Sequence, residues 1–181
     1  MAEPVVVMGV CGSGKSTVGR LLAEALGMPF LEGDAFHSPH NVARMAAGVA
    51  LTDQDRQGWL HALAERIGAA RRGGEGAVLS CSALKRSYRD TLRLHAPGLA
   101  FVFLAGPPDL LARRMAERTD HYMPASLLAS QLATLEPPGD DEGALALDIA
   151  RPPRELVQAA KTWLTHAGGS MGPGAPKASP S

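Results

Sequence analysis

The chain has 181 residues, 45% of them apolar and 20% charged, with 18 Lys plus Arg against 18 Asp plus Glu. That length supports one domain with a single sizeable core, and the even charge balance gives no global basic field of the kind that nucleic acid or a membrane surface requires. The two cysteines, Cys11 and Cys81, make neither a disulfide framework nor a metal-binding spacing; with no run long enough for a membrane span and an N-terminus that enters a strand at once, leaving no room for a signal peptide, a cytoplasmic location is expected.

Val5-Val6-Val7-Met8, apolar without alternation, predicts a buried parallel strand. Gly9-Val10-Cys11-Gly12-Ser13-Gly14-Lys15-Ser16 follows directly, matching the phosphate-binding pattern G-x-x-x-x-G-K-[ST], and a helix is predicted over Lys15 to Leu26. Strand, glycine-rich bend and helix in immediate succession are the context this pattern needs. Glycines let successive backbone N–H groups turn around a polyphosphate, and the helix N-terminus adds its partial positive charge. Gly9, Val10, Cys11, Gly12, Ser13, Gly14, Lys15, Ser16 and Thr17 are therefore the expected contacts of a nucleoside triphosphate. Lys15 reaches the β- and γ-phosphates, and Ser16 offers its hydroxyl to Mg²⁺.

The first helix places Val18, Leu21, Leu22, Ala25 and Leu26 on one face and ends at Gly27. Pro29-Phe30-Leu31 begins a second strand that closes on Glu32-Gly33-Asp34. Ser38-Pro39 starts a helix running to about Ala47, where Gly48 breaks it. Thr52 reads as the N-cap of a longer helix, with Asp53 and Asp55 in its first turn and Trp59, Leu60, Leu63 and Ile67 inward; Gly73-Gly74 stops it. Ala77-Val78-Leu79 is a third strand leading into Ser80-Cys81-Ser82, and a helix from about Lys85 to Leu94 ends at Pro97-Gly98. Phe101 to Leu104 is the fourth strand and Asp109 to about Glu117 a helix. A polar segment from Arg118 to Met123 precedes Pro124 and a helix through Leu127, Leu128, Gln131 and Leu135. Ala144 to Ile149 is the fifth strand and Pro153 to about His166 the last helix. Residues 1–167 are thus expected to form one phosphate-loop domain with a lid at about 118–124. Residues 168–181, almost all Gly, Pro, Ser and Ala, read as a disordered tail.

Strands alternating with helices imply an α/β fold, a five-stranded parallel sheet covered by helices on both faces, with ligands beyond the carboxyl ends of the strands. The guanine-specifying Asn-Lys-x-Asp pattern is absent, so the chemistry after the other strands decides the function. Asp34, after the second strand, should face the phosphate loop and orient an attacking hydroxyl. His37 is either a substrate contact or a packing residue. Arg56, read alone, is a solvated helix-start cation paired with Asp53 or Asp55. Trp59 and Leu60 read as core. Ser82 and Lys85 bring hydroxyls and a cation to the same crevice, and Arg86, Arg89 and Arg93 make the following helix either an exposed face or a surface for an anionic substrate. Arg114 and Arg118, spaced i, i+4, lead the polar segment, as a lid over the γ-phosphate requires. Pro152 and Pro153 would shape a turn beside the adenine.

Taken together these residues resemble the gluconokinases, small kinases with the adenylate-kinase-like fold also seen in shikimate kinase. The matching stretches are Met8-Gly9-Val10 with Gly12 to Ser16; Glu32-Gly33-Asp34 with His37 and Asn41; Met45 with Gly48; Leu51-Thr52-Asp53 with Asp55-Arg56 and Trp59-Leu60; Cys81-Ser82-Ala83-Leu84-Lys85 with Tyr88-Arg89-Asp90 and Leu92-Arg93; Arg118 with His121; and Ser130-Gln131 with Thr134-Leu135-Glu136-Pro137. They span about Val5 to Ile149. The resemblance implies a nucleoside-monophosphate-kinase-like fold with a short lid, and ATP-dependent phosphorylation of D-gluconate at its 6-hydroxyl, feeding the pentose phosphate route. It implies Asp34 at that hydroxyl; His37, Arg56, Lys85 and His121 around the substrate; Arg118 in the lid as a catalytic cation beside Lys15; and Arg114 near the adenine. It raises Arg56 from a structural residue to a functional one. Family members are often homodimers, although no residue pattern here argues for one. Two departures stand out: the third strand ends in Ser80-Cys81-Ser82 where an aspartate would hold Mg²⁺, which leaves Ser16, ATP oxygens and water, with Asp34 as an outer-sphere partner, and the tail after Gly168 has no counterpart in the family. Two other readings remain open at this level: the same fold with shikimate, a nucleotide or another sugar acid as acceptor, and a nucleotide-binding regulatory module without turnover.

Overall fold

A computed structural model describes residues 2–117 and 126–167. Its strands are β1 (Val5–Met8), β2 (Phe30–Glu32), β3 (Val78–Ser80), β4 (Ala100–Ala105) and β5 (Ala144–Asp148), all parallel, in the spatial order β2-β3-β1-β4-β5. The helices are α1 (Lys15–Leu26), α2 (Pro39–Ala46), α3 (Asp53–Gly73), α4 (Arg86–Leu92), α5 (Pro108–Glu117), α6 (Ser126–Thr134) and α7 (Pro153–Ala167). β1 lies at the centre, fully buried, as its unbroken apolar run requires. The chain leaves β1 for β2 on one side and later fills β4 and β5 on the other, so a crevice opens at the carboxyl end of β1.

The predicted elements are present, with local differences. Ala25 is exposed, and α1 instead buries Gly19 and Ala23 beside Val18 and Leu22. Gly19 lies against the Phe30 ring; a Cβ there would come within 2.7 Å of it. The turn expected at Gly33-Asp34 is a 3₁₀ turn, Gly33–Phe36. α4 is shorter than predicted, with Lys85 as its N-cap and a 3₁₀ turn, Arg93–His95, after it. A further 3₁₀ turn, Asp140–Glu142, precedes β5. The lid at 118–124, with Arg118 and His121, and the tail at 168–181 lie outside the described residues. Among the described residues no helix is long and apolar enough to cross a membrane.

Helix capping separates α1 from its neighbours. Ser38 caps α2 by accepting from Asn41 N–H, and Thr52 and Asp55 form a reciprocal capping box on α3. α1 begins at Gly14 in the left-handed region (φ 88°) with no side-chain cap. Its first amides are therefore not engaged by a side chain, as an anion-binding helix start demands.

Candidate active site

Register sets the level of the site. Val7 pairs with Ser80, and Ser80 pairs with Glu32, so the start of the phosphate loop and the ends of β3 and β2 stand in one row. Beyond that row lies a cleft lined by Cys11, Gly12, Gly14, Lys15 and Ser16 from the loop and by Asp34, His37, Arg56, Trp59, Ser82 and Gln131 from other elements. The loop fits a polyphosphate by its own geometry. Gly12 and Gly14 adopt φ of 83° and 88°, and a Cβ on Gly12 would meet Leu111 O at 2.9 Å. Lys15 Nζ donates to Val10 O at 3.1 Å, folding the amine over its own loop.

A second hollow is lined by Gly12, Ser13, Gly14, Thr17, Arg114, Arg151 and Pro153. Arg114 Nη2 donates to Ile149 O at 2.6 Å, which ties α5 to the end of β5. The two hollows share Gly12 and Gly14, so the phosphate loop is the wall between them. A triphosphate on that loop would leave its base on the Arg114 side and its last phosphoryl on the Asp34 side.

Sequence reasoning passed over Glu32 as a functional carboxylate. Ser16 Oγ donates to Glu32 Oε2 at 2.6 Å, and Ser80 Oγ donates to Oε1 at 2.6 Å. β3 ends without an acid, and the carboxylate that stands beside Ser16 comes instead from the end of β2, held by Ser80. One hydroxyl and one carboxylate, held together beside a phosphate loop, are the hard oxygen donors that Mg²⁺ prefers, so the residues present fit that ion. The signal in the sequence was Glu32 at the end of a strand; what hid its role was not knowing that β2 runs beside β3.

Asp34 and His37 occur together in the cleft. Asp34 Oδ1 is 4.0 Å from His37 Nε2, with side-chain exposures of 33% and 3%. His37 stacks on Trp59 (centroids 4.0 Å apart, 15° between planes), and Trp59 Nε1 donates to Gly33 O at 2.8 Å. Trp59 is therefore core, as expected, and also the platform for His37, which sequence reasoning set aside. Burial and the nearby Arg56 guanidinium push the His37 pKa down to about 4, so its imidazole is neutral at physiological pH.

Arg56 does not take the local ion pairs expected of it. Its Nη1 donates to Tyr88 Oη at 2.8 Å, Tyr88 donates in turn to Asp53, and Lys85 Nζ pairs with Asp53 at 3.1 Å. Arg56 lines the cleft and Lys85 does not. The two predicted substrate cations are instead joined through Tyr88 and Asp53. Hydrogen bonds from Tyr88 and Lys85 hold the Asp53 carboxyl below its ordinary pKa, and the bond to Asp53 raises that of Lys85.

The cations in and just after α4 are held by acids near β5: Arg86 is exposed, and Arg89 and Arg93 are not. Arg89, fully buried, grips Glu142 through Nε (2.7 Å) and Nη2 (3.0 Å) and donates from Nη1 to Ala83 O (2.8 Å). Arg93 also reaches Glu142, and Arg86 pairs with Asp141. Burial alone would raise the Glu142 pKa, but bonds from Arg89, Gly139 N–H and Arg93 hold it down at about 2. This cluster fixes the Ser82–Lys85 loop, in which Ala83 has φ 45°, the one non-glycine residue in the left-handed region among those described. Helix α6 links both halves: Gln131 Oε1 accepts from Cys11 N–H at 2.7 Å, and Glu136 N–H, just past the helix, donates to Leu84 O at 2.7 Å. Cys11 and Cys81 are buried free thiols, and burial pushes Cys81 up to about 12.

Known proteins resemble this chain in sequence and fold. A family model described as an AAA domain matches residues 5–138. The chain is 50% identical over 154 residues to a gluconokinase of Gluconobacter oxydans (strain 621H), covering 85% of this chain and 86% of that one. It is 42% identical over 153 residues to the thermoresistant gluconokinase of Escherichia coli (strain K12), covering 84% and 87%. The crystal structure of a gluconokinase from Sinorhizobium meliloti 1021 superposes with a TM-score of 0.84 at 52% identity, covering 92% of this chain and 94% of that one. An unliganded sugar kinase from Janibacter sp. HTCC2649 does so at 0.88 and 48%, covering 93% and 98%.

Proposed function

The chain belongs to the gluconokinase family, and we propose that it transfers the γ-phosphoryl group of ATP to the 6-hydroxyl of D-gluconate, giving 6-phospho-D-gluconate and ADP. The observation that carries this reading is the shared cleft: Lys15 and Ser16 of the phosphate loop line the same cavity as Asp34, His37 and Arg56. A module that only bound nucleotide would need no such acceptor side. Phosphoryl transfer asks little covalent chemistry of a protein, so positioning and charge stabilisation supply most of the rate.

Lys15 neutralises charge on the β- and γ-phosphates. Asp34 aligns the 6-hydroxyl and receives its proton as the new O–P bond forms. Arg56 contacts the polyol or carboxylate of gluconate, with Lys85 acting beside it through the Tyr88–Asp53 link. Arg114 lies near the adenine. Arg118 and His121, which lie outside the described residues, would close over the γ-phosphoryl and substrate. Ser16 and Glu32 would hold Mg²⁺, which supplies Lewis-acid stabilisation of phosphate charge when bound. The even charge balance and the absence of a membrane-length helix among the described residues fit a cytoplasmic enzyme of sugar-acid metabolism, and the family resemblance supports a homodimer.

An ADP-release assay across D-gluconate, shikimate, a nucleoside monophosphate and other sugar acids tests the reading. Turnover with gluconate is expected. Its absence, with turnover on another acceptor, would reassign the substrate; nucleotide binding without stimulation by any acceptor would favour a regulatory module.

A further inference from the structure

Asn41 is 3% exposed, and its side-chain nitrogen has two acceptors in reach: Asp55 O at 2.8 Å and His37 Nδ1 at 3.3 Å. A backbone carbonyl can only accept, so the atom facing Asp55 O must be the amide nitrogen, whichever way the carboxamide is first drawn. The second proton of the same NH₂ group then points at His37 Nδ1, which must be bare. In a neutral imidazole the hydrogen is left on Nε2, the nitrogen that faces Asp34. The residues thus determine a tautomer without any hydrogen having to be seen.

The distance from Nε2 to Asp34 Oδ1, 4.0 Å, is too long for a direct hydrogen bond. It suits one oxygen placed about 2.8 Å from each, with an angle of about 90° between the two bonds. Such an oxygen must accept from Nε2–H and donate to the carboxylate. A hydroxyl does both; a carboxylate or phosphate oxygen cannot donate and would be repelled by Asp34.

We propose that Asn41 is a positioning residue that locks His37 as a neutral Nε2–H donor, so that His37 and Asp34 together form a subsite for one substrate hydroxyl. This rests on the gluconate-kinase reading, in which that hydroxyl is the attacking one. His37 then holds one lone pair, Asp34 takes the proton, and the remaining lone pair is aimed at phosphorus. In a loose transition state the nucleophile forms little bond, so fixing its direction outweighs the small loss of basicity from the His37 contact. His37 is not the general base. Among the described residues, the charged groups facing it are Asp34 on its own turn and Arg56 from α3; α2 contributes the neutral Asn41, while His40 and Arg44 of that helix pair with Asp55.

The test is a long-range ¹⁵N–¹H spectrum of the imidazoles of the full chain, assigned with His37→Gln and recorded from pH 8 to 5. The expected His37 signature is a bare Nδ1 and a protonated Nε2, unchanged across that range; an Nδ1–H tautomer, or titration at the ordinary histidine midpoint, would overturn the proposal. Kinetics supply a second readout. Gln carries an N–H donor at the Nε2 position and Asn one at the Nδ1 position, so His37→Asn should raise KM for gluconate ten-fold or more, and His37→Gln should recover most of that loss. Equal losses in both variants would count against the hydroxyl subsite. In Asn41→Asp a carboxylate replaces the donor, and the spectrum should move to Nδ1–H; if that variant does not fold, the spectrum of the unaltered chain still decides. Failure of gluconate turnover would remove the proposed reaction but leave the tautomer measurable, whereas an Nδ1–H tautomer with normal turnover would remove this inference alone.

Discussion

The Ser16 hydroxyl donates to Glu32 Oε2 across 2.6 Å, joining the last residue of the phosphate loop to the last residue of β2. The contact makes the hydroxyl that would meet Mg²⁺ and the nearest strand-end carboxylate one unit. Glu32→Gln keeps the shape and removes the charge. The Mg²⁺ concentration for half-maximal turnover should rise by at least about 10–100-fold, the cost of losing even a partner behind a metal ligand, while binding of metal-free ATP stays the same. An unchanged Mg²⁺ dependence would remove Glu32 from the metal site.

Asp34→Asn removes the proton acceptor but not the bulk. A decrease in kcat of about 10²–10⁴-fold is expected, with ATP affinity measured by titration little altered. A variant with normal kcat would show that the attacking hydroxyl is aligned by another group.

The depressed pKa of His37 makes stability depend on pH in a defined window. The unfolded imidazole takes up a proton near 6.5 and the folded one only near 4, so the unfolded chain binds more protons between those values. Stability from neutral burial of the ring is complete above 6.5 and declines as pH falls towards 4, by up to about 3 kcal/mol at ~1.4 kcal/mol per pKa unit. Denaturant unfolding at pH 7 and pH 4.5 measures the difference, and His37→Phe should flatten it. Glu142, held down at about 2, contributes a separate decline below its ordinary 4.5.

Arg89→Met leaves Glu142 buried with one strong partner fewer. A loss of about 3–5 kcal/mol is expected in denaturant unfolding, as for other broken buried ion pairs. Because Arg89 also holds Ala83 O, the acceptor KM should rise beyond what lost stability explains. Full acceptor affinity in a destabilised but folded variant would limit Arg89 to a scaffold role.

Much of this was legible in the residues. The strand–loop–helix around Gly9 to Ser16, the Thr52 cap and the placement of Asp34 at a strand end follow from local periodicity and capping chemistry, which act within one or two turns of chain. The relationships that escaped reading are long-range. Glu32 meets Ser80 because β2 lies beside β3, a matter of strand order. The cations of α4 find their acids some 50 residues away in the Asp140–Glu142 turn, and Arg56 bypasses its helix neighbours for Tyr88. A linear pattern shows which charges exist but not which of them the topology pairs.

Gly33 separates Glu32 from Asp34, and a methyl group on it would come within 2.1 Å of Ser80 O. The spacing between Glu32 and Asp34 is therefore set by backbone pressed on backbone, not by the fit of apolar side chains. Core residues can drift through many substitutions without moving the two carboxylates apart. New acceptor preferences can then arise in this scaffold by changing the Met45 and Leu51 side of the cleft, while the tip of β2 stays fixed as the inherited part of the tool.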